Sequence, residues 1–201
     1  MGTIFIICAS ILWCVLHSIL ASHTVKGFLR RATGAPAFDR SYRLSYNFFA
    51  LSSLYPLAVM LYTFPDRLLY SIPFPWLYLT AILQGFAIIL LISAVVQTGT
   101  AEFLGLEQLS EVGEMKAPVL ITDGWYAYVR HPLYVGILLL AWPIPEMTLN
   151  RLALLVIFSL YLLIGAWFEE RNLLKDFDPA YTEYKARVPM FIPKIAKLIK
   201  R

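Results

Sequence analysis

YVRHPLYVGILLLAWPIPEMTLNRLALLVIFSLYLLIGAWFEER, from Tyr128 to Arg171, decides the fold. Two apolar runs, Leu133 to Trp142 and Leu149 to Phe168, are separated by a proline-containing turn. Charge brackets them, with Arg130 and His131 before the first and Glu169, Glu170 and Arg171 after the second. At about 1.5 Å of rise per helical residue the second run is long enough to cross a hydrocarbon core of about 30 Å. The first is too short to cross alone and meets Pro143 and Pro145. It reads as one arm of a helical hairpin with the second, packed against protein and broken near its far end. A hairpin brings its two open ends together, so the Arg130/His131 pair and the Glu169/Glu170 pair are expected on the same side of a membrane.

The rest of the chain agrees with a bilayer setting. Of its 201 residues, 59% are hydrophobic and only 15% charged, which excludes an ordinary water-soluble domain. Three further apolar stretches, Gly2 to Ala21, Leu44 to Phe64 and Phe74 to Val96, have spanning length. The expected fold class is therefore all-α: a polytopic membrane protein with about five transmembrane helices, the last two a hairpin, plus a cytoplasmic C-terminal helical segment. No basic residue precedes the first apolar run and no small-residue cleavage signal follows it, so it reads as a retained helix and not a removable signal peptide. Cys8 and Cys14, six positions apart on that helix, read as apolar filler and not as a disulfide.

Basic residues set the orientation. Five elements place fifteen Lys and Arg residues on one side and only Arg67 and Arg151 on the other. Positive residues collect in the cytoplasm, so the expectation is an integral protein of the cell (inner) membrane with the N-terminus outside and the C-terminus cytoplasmic. The net charge of +4 mostly reflects this asymmetry and gives no reason to invoke nucleic acid. The partners expected are membrane lipids.

The chain reads as a single domain over 1–201, without repeats: three N-terminal membrane helices over 1–97, then a cytoplasmic loop, the hairpin and the C-terminal segment over 98–201. The elongated loops fall on the cytoplasmic side: Val25 to Arg43, with the breakers Gly34 and Pro36, and Gln97 to Trp125, which carries Glu102, Glu107, Glu111, Glu114 and Asp123. The opposite side has only the short turns PDRLLYSIPFP and PIPEMTLN. After Phe168, charged and apolar residues interleave at helical spacing, Asp178 and Pro179 start a second short helix, and Pro189 and Pro193 end regular structure. The last piece, KIAKLIKR, reads as a basic amphipathic tail held on anionic headgroups.

Pro132 suits the first turn of a helix, which puts Arg130 and His131 at that helix's N-terminal mouth. Such residues can serve as interfacial anchors. Facing Glu169 and Glu170, with Tyr128, Tyr134, Tyr181 and Tyr184 nearby in sequence, they instead suggest a polar ligand site roofed by the C-terminal segment. An ion-pair latch between Arg130 and one of the two acids is the structural alternative and is compatible with a ligand. There is no G-x-G-x-x-G after a strand, no P-loop, no H-E-x-x-H and no Cys/His cluster with metal spacing. Any nucleotide-like cofactor must be held by helix ends, aromatics and these carboxylates, and no metal site is expected.

Three ordered motifs, G-W-Y-x-Y-V-R-H-P-L-Y-x-G, F-E-E-R-N-L and Y-x-x-Y-x-x-R-V-P-M-x-I-P, resemble the integral membrane methyltransferases. That group includes the isoprenylcysteine carboxyl methyltransferases and phospholipid methyltransferases. W-x-x-P-x-M-T at Trp142 to Thr148, F-L-G-L-E-Q at Phe103 to Gln108 and L-H-S-x-L-A at Leu16 to Ala21 look most like the methanethiol S-methyltransferase and NnrU-like branch. The resemblance implies S-adenosylmethionine as cofactor, bound on the cytoplasmic side between the last hairpin and the C-terminal segment. It implies that His131, Pro132, Tyr134 and Gly136 line the cofactor pocket, with Tyr128 and Tyr181 also at the cofactor. Glu169 and Glu170 would hold the cofactor's ammonium or ribose end, and Arg130 and Arg187 would lie near its carboxylate or the acceptor. The catalytic set is then Arg130, His131, Glu170 and Arg187. The partner implied is a small-molecule or lipophilic methyl acceptor, a small thiol or an isoprenylcysteine-like carboxylate. A carboxylate would arrive ionised, whereas a thiol would have to lose a proton to His131 or Glu170. Where the thiol branch has a histidine before F-L-G-L, this chain reads VVQTGTAE, so the resemblance leaves the acceptor open.

Two other readings come from different classes. An NADPH-dependent membrane reductase of the sterol-reductase type shares the terminal Y-x-x-Y-x-x-x-V-P, but such reductases carry R-D-x-x-x-C where this chain has EERNLLKDF. A non-catalytic NnrU-like membrane factor would bind no cofactor.

Overall fold

The computed structural model describes residues 1–100 and 119–194. The F-L-G-L-E-Q run, the loop acids at 102, 107, 111 and 114, and the basic tail beyond Lys194 lie outside the described residues. The described chain is mostly helical. Its elements are α1 (Gly2–Ala21), α2 (His23–Thr33), α3 (Ala35–Ser52), α4 (Tyr55–Thr63), β1 (Leu68–Ser71), α5 (Leu77–Gln97), α6 (Pro132–Ala141), β2 (Glu146–Thr148), α7 (Leu149–Phe177) and α8 (Ala180–Arg187). Among the described residues, four helical stretches are long and apolar enough to cross a membrane: α1, the α3–α4 stretch Ala35–Thr63, α5 and α7. Helix α6, with 10 residues, is apolar but shorter. This composition fits an integral membrane protein.

By internal contacts the described chain falls into two compact units, one built on Met1–Ser71 and Glu146–Phe158, the other on residues 72–98, 119–145 and 159–194. In the first, polar side chains stitch apolar helices together. Trp13 Nε1 donates to Ser53 Oγ at 2.8 Å, and the Tyr46 hydroxyl lies 2.8 Å from His17 Nε2. Fully buried Asn150 accepts from Thr3 Oγ1 at 2.6 Å and donates through Nδ2 to the Pro65 carbonyl at 3.2 Å. Its backbone N–H donates to Asp66 Oδ1 at 3.0 Å. A buried amide so satisfied fixes the start of α7 against the turn after α4.

Three local expectations are corrected here. Val25 to Arg43, read as a loop, is helical except at its joint: Gly34 adopts φ +86°, a conformation glycine adopts readily, and separates α2 from α3. Its two breakers act as punctuation between helices, since Pro36 sits in the first turn of α3, where a missing N–H costs nothing. The Leu44 to Phe64 run does not form one regular helix but is interrupted between Ser52 and Tyr55. The two short turns are not merely turns, because β1 and β2 pair antiparallel, Leu68 with Thr148 and Ser71 with Glu146.

In the second unit α5 and α6 pack closely at Gly136. A Cβ there would lie 2.7 Å from Leu91 Cγ and 2.8 Å from Cδ2, and Gln84 Nε2 donates to the Leu140 carbonyl at 3.2 Å. Helix α6 also bonds along the second part of α7, through Trp142 Nε1 to Ser159 Oγ at 3.0 Å and the Tyr134 hydroxyl to Glu169 Oε2 at 2.8 Å. Overpacking of this kind costs about 1–3 kcal/mol. Gly136→Ala is therefore expected to lower the thermal unfolding midpoint in detergent. Gly85→Ala, on α5 with open space around it, is expected to hold or raise it through helix propensity. Equal midpoints for the two variants would contradict close packing at Gly136.

Candidate functional site

The site grows from the segment between α5 and α6. Trp125 is fixed on α5, its indole N–H donating to Ser93 Oγ at 2.6 Å and its backbone N–H to Gln97 Oε1 at 3.3 Å. From there a short 3-10 turn, Gly124–Ala127, leads past Val129 to Arg130 and His131, whose backbone N–H groups donate to the carbonyls of Pro189 and Met190 at 2.9 and 3.2 Å. The irregular segment after α8 thus lies directly on the R-H-P motif. Pro132 is fully buried at the first position of α6.

Glu170 sits at the centre, on α7, buried with 5% exposure. One carboxylate oxygen accepts from Arg130 Nε at 2.7 Å and pairs with its NH2 group at 2.5 Å. The other pairs with Lys185 Nζ of α8 at 2.8 Å. His131 Nε2 lies 3.4 Å from the first oxygen, while His131 Nδ1 lies 3.6 Å from Glu169 Oε2. The Tyr134 ring stacks on the His131 imidazole, centroids 5.3 Å apart and planes 10° apart, and Phe191 approaches from the C-terminal segment at 5.7 Å. An acid held by two cations is a charge-assisted network of the kind that fixes geometry.

Arg130 reaches further. Its NH1 donates to the carbonyls of Val188 at 2.5 Å and Lys185 at 3.3 Å, at the end of α8. With five N–H groups in a guanidinium, few are left for a ligand. The residue ties α7, α8 and the R-H-P segment together. Helix α8 and the residue after it are also held by Tyr181, Tyr184 and Val188, which pack against Leu120, Tyr126, Leu173, Leu174 and Phe177. The Tyr184 hydroxyl donates to the Tyr126 carbonyl at 2.7 Å. The Tyr181 hydroxyl, in contrast, is buried beside the Arg130 guanidinium and Glu170, and its proton has no acceptor among the described residues. A buried hydroxyl whose proton finds no acceptor costs about 1–3 kcal/mol. Burial, with the nearby Glu170 charge, pushes this phenol up to about 12. Burial likewise lowers the His131 imidazole below its ordinary value, despite the opposing pull of Glu169 and Glu170.

Of the residues singled out in the sequence, Arg130, His131, Tyr134, Glu169, Glu170 and Tyr181 meet in this cluster. Tyr128 and Gly136 face elsewhere: Tyr128 lines a cavity beside α5, and Gly136 supports the α5–α6 contact. Arg187 is exposed and donates through Nε to the Glu183 carbonyl of its own helix at 3.3 Å. The α8 cation that does reach Glu170 is Lys185, which the sequence reading missed. Its position four residues after Tyr181, on the inward face of α8, was the available signal.

The chain is 31% identical over 186 residues to methanethiol S-methyltransferase 1 of Bradyrhizobium diazoefficiens, covering 90% of this chain and 64% of that protein. It is 30% identical over 188 residues to a methanethiol S-methyltransferase of Crocosphaera subtropica, covering 90% of this chain and 71% of that protein. A protein-S-isoprenylcysteine O-methyltransferase of Schizosaccharomyces pombe is 39% identical over 87 residues, 40% of this chain and 35% of that protein. No solved structure matches. The sequence profile of the NnrU protein family matches residues 5–192, and this chain belongs to the NnrU family.

Proposed function

We propose that this chain is a methyltransferase, carrying a methyl group from S-adenosylmethionine to a small thiol or lipophilic acceptor at the cytoplasmic face of the cell membrane. The observation that carries the reading is the cluster around Glu170: a buried, doubly paired carboxylate, a half-exposed second carboxylate at Glu169, stacked aromatic rings and an orphan buried hydroxyl. The names of the relatives, which match most of the chain, support methyl transfer as the reaction class. The proposed hairpin of α6 and α7 is supported by the Trp142–Ser159 and Tyr134–Glu169 bonds, and the proposed orientation, N-terminus outside, by the basic asymmetry.

The donor set fits S-adenosylmethionine. Its sulfonium is a permanent cation, which aromatic faces and a carboxylate attract and a bare apolar pocket does not. Tyr134 and Phe191 offer the faces, and Glu169, 47% exposed at its side chain, offers the charge. Lys185 is the half-open cation for the amino-acid carboxylate, and the Tyr181 hydroxyl has an unmet hydrogen bond to give. Tyr128, Pro132 and Gly136 act by shaping the segment that carries these groups. Arg130 positions, holding Glu170 and the end of α8 in place.

When bound, the cofactor supplies an electrophilic methyl group. The protein's part is to align the acceptor, exclude water and, for a thiol, take a proton. Glu170, clamped by Arg130 and Lys185, is a poor base. His131 is the better one, because burial keeps its imidazole neutral at neutral pH.

Two outcomes follow. Replacing Glu169 with Gln is expected to weaken S-adenosylmethionine binding by about fivefold, the size of an exposed cation interaction of about 1 kcal/mol, while S-adenosylhomocysteine, which has no sulfonium, changes less. Calorimetry with both ligands reads this. Equal losses, or stabilisation of the wild type by NADPH alone, would remove the reading. Second, methyl transfer to a thiol should fall as pH drops through the lowered His131 value, giving an acid limb with its midpoint below 6.5. His131→Gln should abolish that limb, and an unchanged profile in the variant rules His131 out as the base.

A further inference from the structure

A cavity of about 880 Å³ lies beside the segment that carries Arg130 and His131, on its α5 side. Its walls are apolar: Phe86 and Leu90 on one face of α5, Val135 and Leu139 one turn apart on α6, and Trp125 and Tyr128 between them. Gln97, Thr122 and Asp123 supply its few polar groups. The walls are fixed. Gly124 sits at φ +54°, strained for residues with a side chain, and a Cβ there would fall 1.7 Å from Gln97 Nε2 and displace the amide that holds Trp125. Trp125 is then held by Ser93 and Gln97 and meets Phe86 edge to face, centroids 5.9 Å apart.

The cavity and the Glu170 cluster share a partition. Val129 lines the cavity and its neighbour Arg130 grips Glu170. Val135 lines the cavity one helical turn after His131, to whose carbonyl it donates at 3.1 Å. Pro193 lines the cavity, while Phe191, two residues earlier, packs on the His131 ring. One stretch of backbone therefore presents charge on one side and hydrocarbon on the other.

We propose that this cavity holds the apolar chain of the methyl acceptor, so that the acceptor is a lipophilic molecule and not one the size of methanethiol. This rests on the methyltransferase reading and deepens it by naming the substrate class. The volume falls in the range of pockets that enclose drug-sized ligands, and methanethiol, one carbon and one sulfur, fills a small corner of it. Aromatic and aliphatic walls gain by removing hydrocarbon from water and offer a two-atom thiol little. One wall of the cavity is α5, an apolar helix of membrane-spanning length.

The test uses purified protein in lipid nanodiscs, titrated with n-alkanethiols of one, four and eight carbons and with S-adenosylhomocysteine, each corrected for partition into empty nanodiscs. In the wild type, thiol affinity should rise about fourfold per added methylene. A cavity-filling V135F/L139F variant should weaken octanethiol at least tenfold and shift the S-adenosylhomocysteine Kd less than twofold. Affinity that is flat from one carbon to eight, a measurement needing no variant, would overturn the proposal. So would unchanged octanethiol binding in a folded V135F/L139F protein, or joint loss of both ligands in it, which would assign the cavity to the donor. Chain-length dependence in a wild type that fails to bind S-adenosylhomocysteine would support the cavity while removing the methyl-donor reading.

Discussion

The site depends on one buried carboxylate. Glu170 lies almost wholly out of water and is tolerable there only because Arg130 and Lys185 both reach it. Removing Arg130, the buried partner, would leave Glu170 with only the half-exposed Lys185, and breaking a buried pair in this way costs far more than the intact pair contributes. The same guanidinium continues to the carbonyls at the end of α8, so the interaction that neutralises Glu170 also fixes the C-terminal helix over the R-H-P motif. Stacked His131 and Tyr134, and the half-exposed Glu169 beside them, inherit their geometry from this clamp. Binding groups held by a rigid network lose little freedom when a ligand arrives, which favours both affinity and alignment.

Around that clamp the molecule separates two environments with very little chain. Residues 128–135 and 189–193 form a thin wall, with the charged cluster on one side and an apolar cavity on the other. A methyl transfer between a water-soluble cationic donor and a lipophilic acceptor needs such a division, because each partner prefers a different solvent. The glycine at 124 and the Ser93 and Gln97 contacts of Trp125 hold the wall at its α5 end.

Much of this was legible in the sequence, for local reasons. The bounds of α1 coincide with an uninterrupted apolar run, Pro132 opens α6 as its fixed φ allows, and α8 begins just after Pro179. The meeting of Arg130 and His131 with Glu169 and Glu170 followed from reading two apolar runs as neighbours. What could not be read was set by non-local contacts. Lys185 and Arg187 are both cations on α8, and only the packing of Tyr181 and Tyr184 determines that the first faces Glu170 and the second faces away. Gly34 looks like a loop signal until its positive φ is seen joining two helices, and pairing of β1 with β2 requires segments some 75 residues apart to meet. The cavity beside α5 left no motif, because its lining residues are ordinary apolar positions on separate elements.

Hydrogen exchange of the full chain with and without S-adenosylhomocysteine addresses the Glu170 cluster most directly. Slowed exchange is predicted for amides at 126–134, 169–173 and 181–190, where the R-H-P segment, the acids of α7 and the α8 roof surround the proposed donor. Protection confined to other regions, such as α2 and α3, or no protection at saturating ligand, would contradict a donor site built on Glu170.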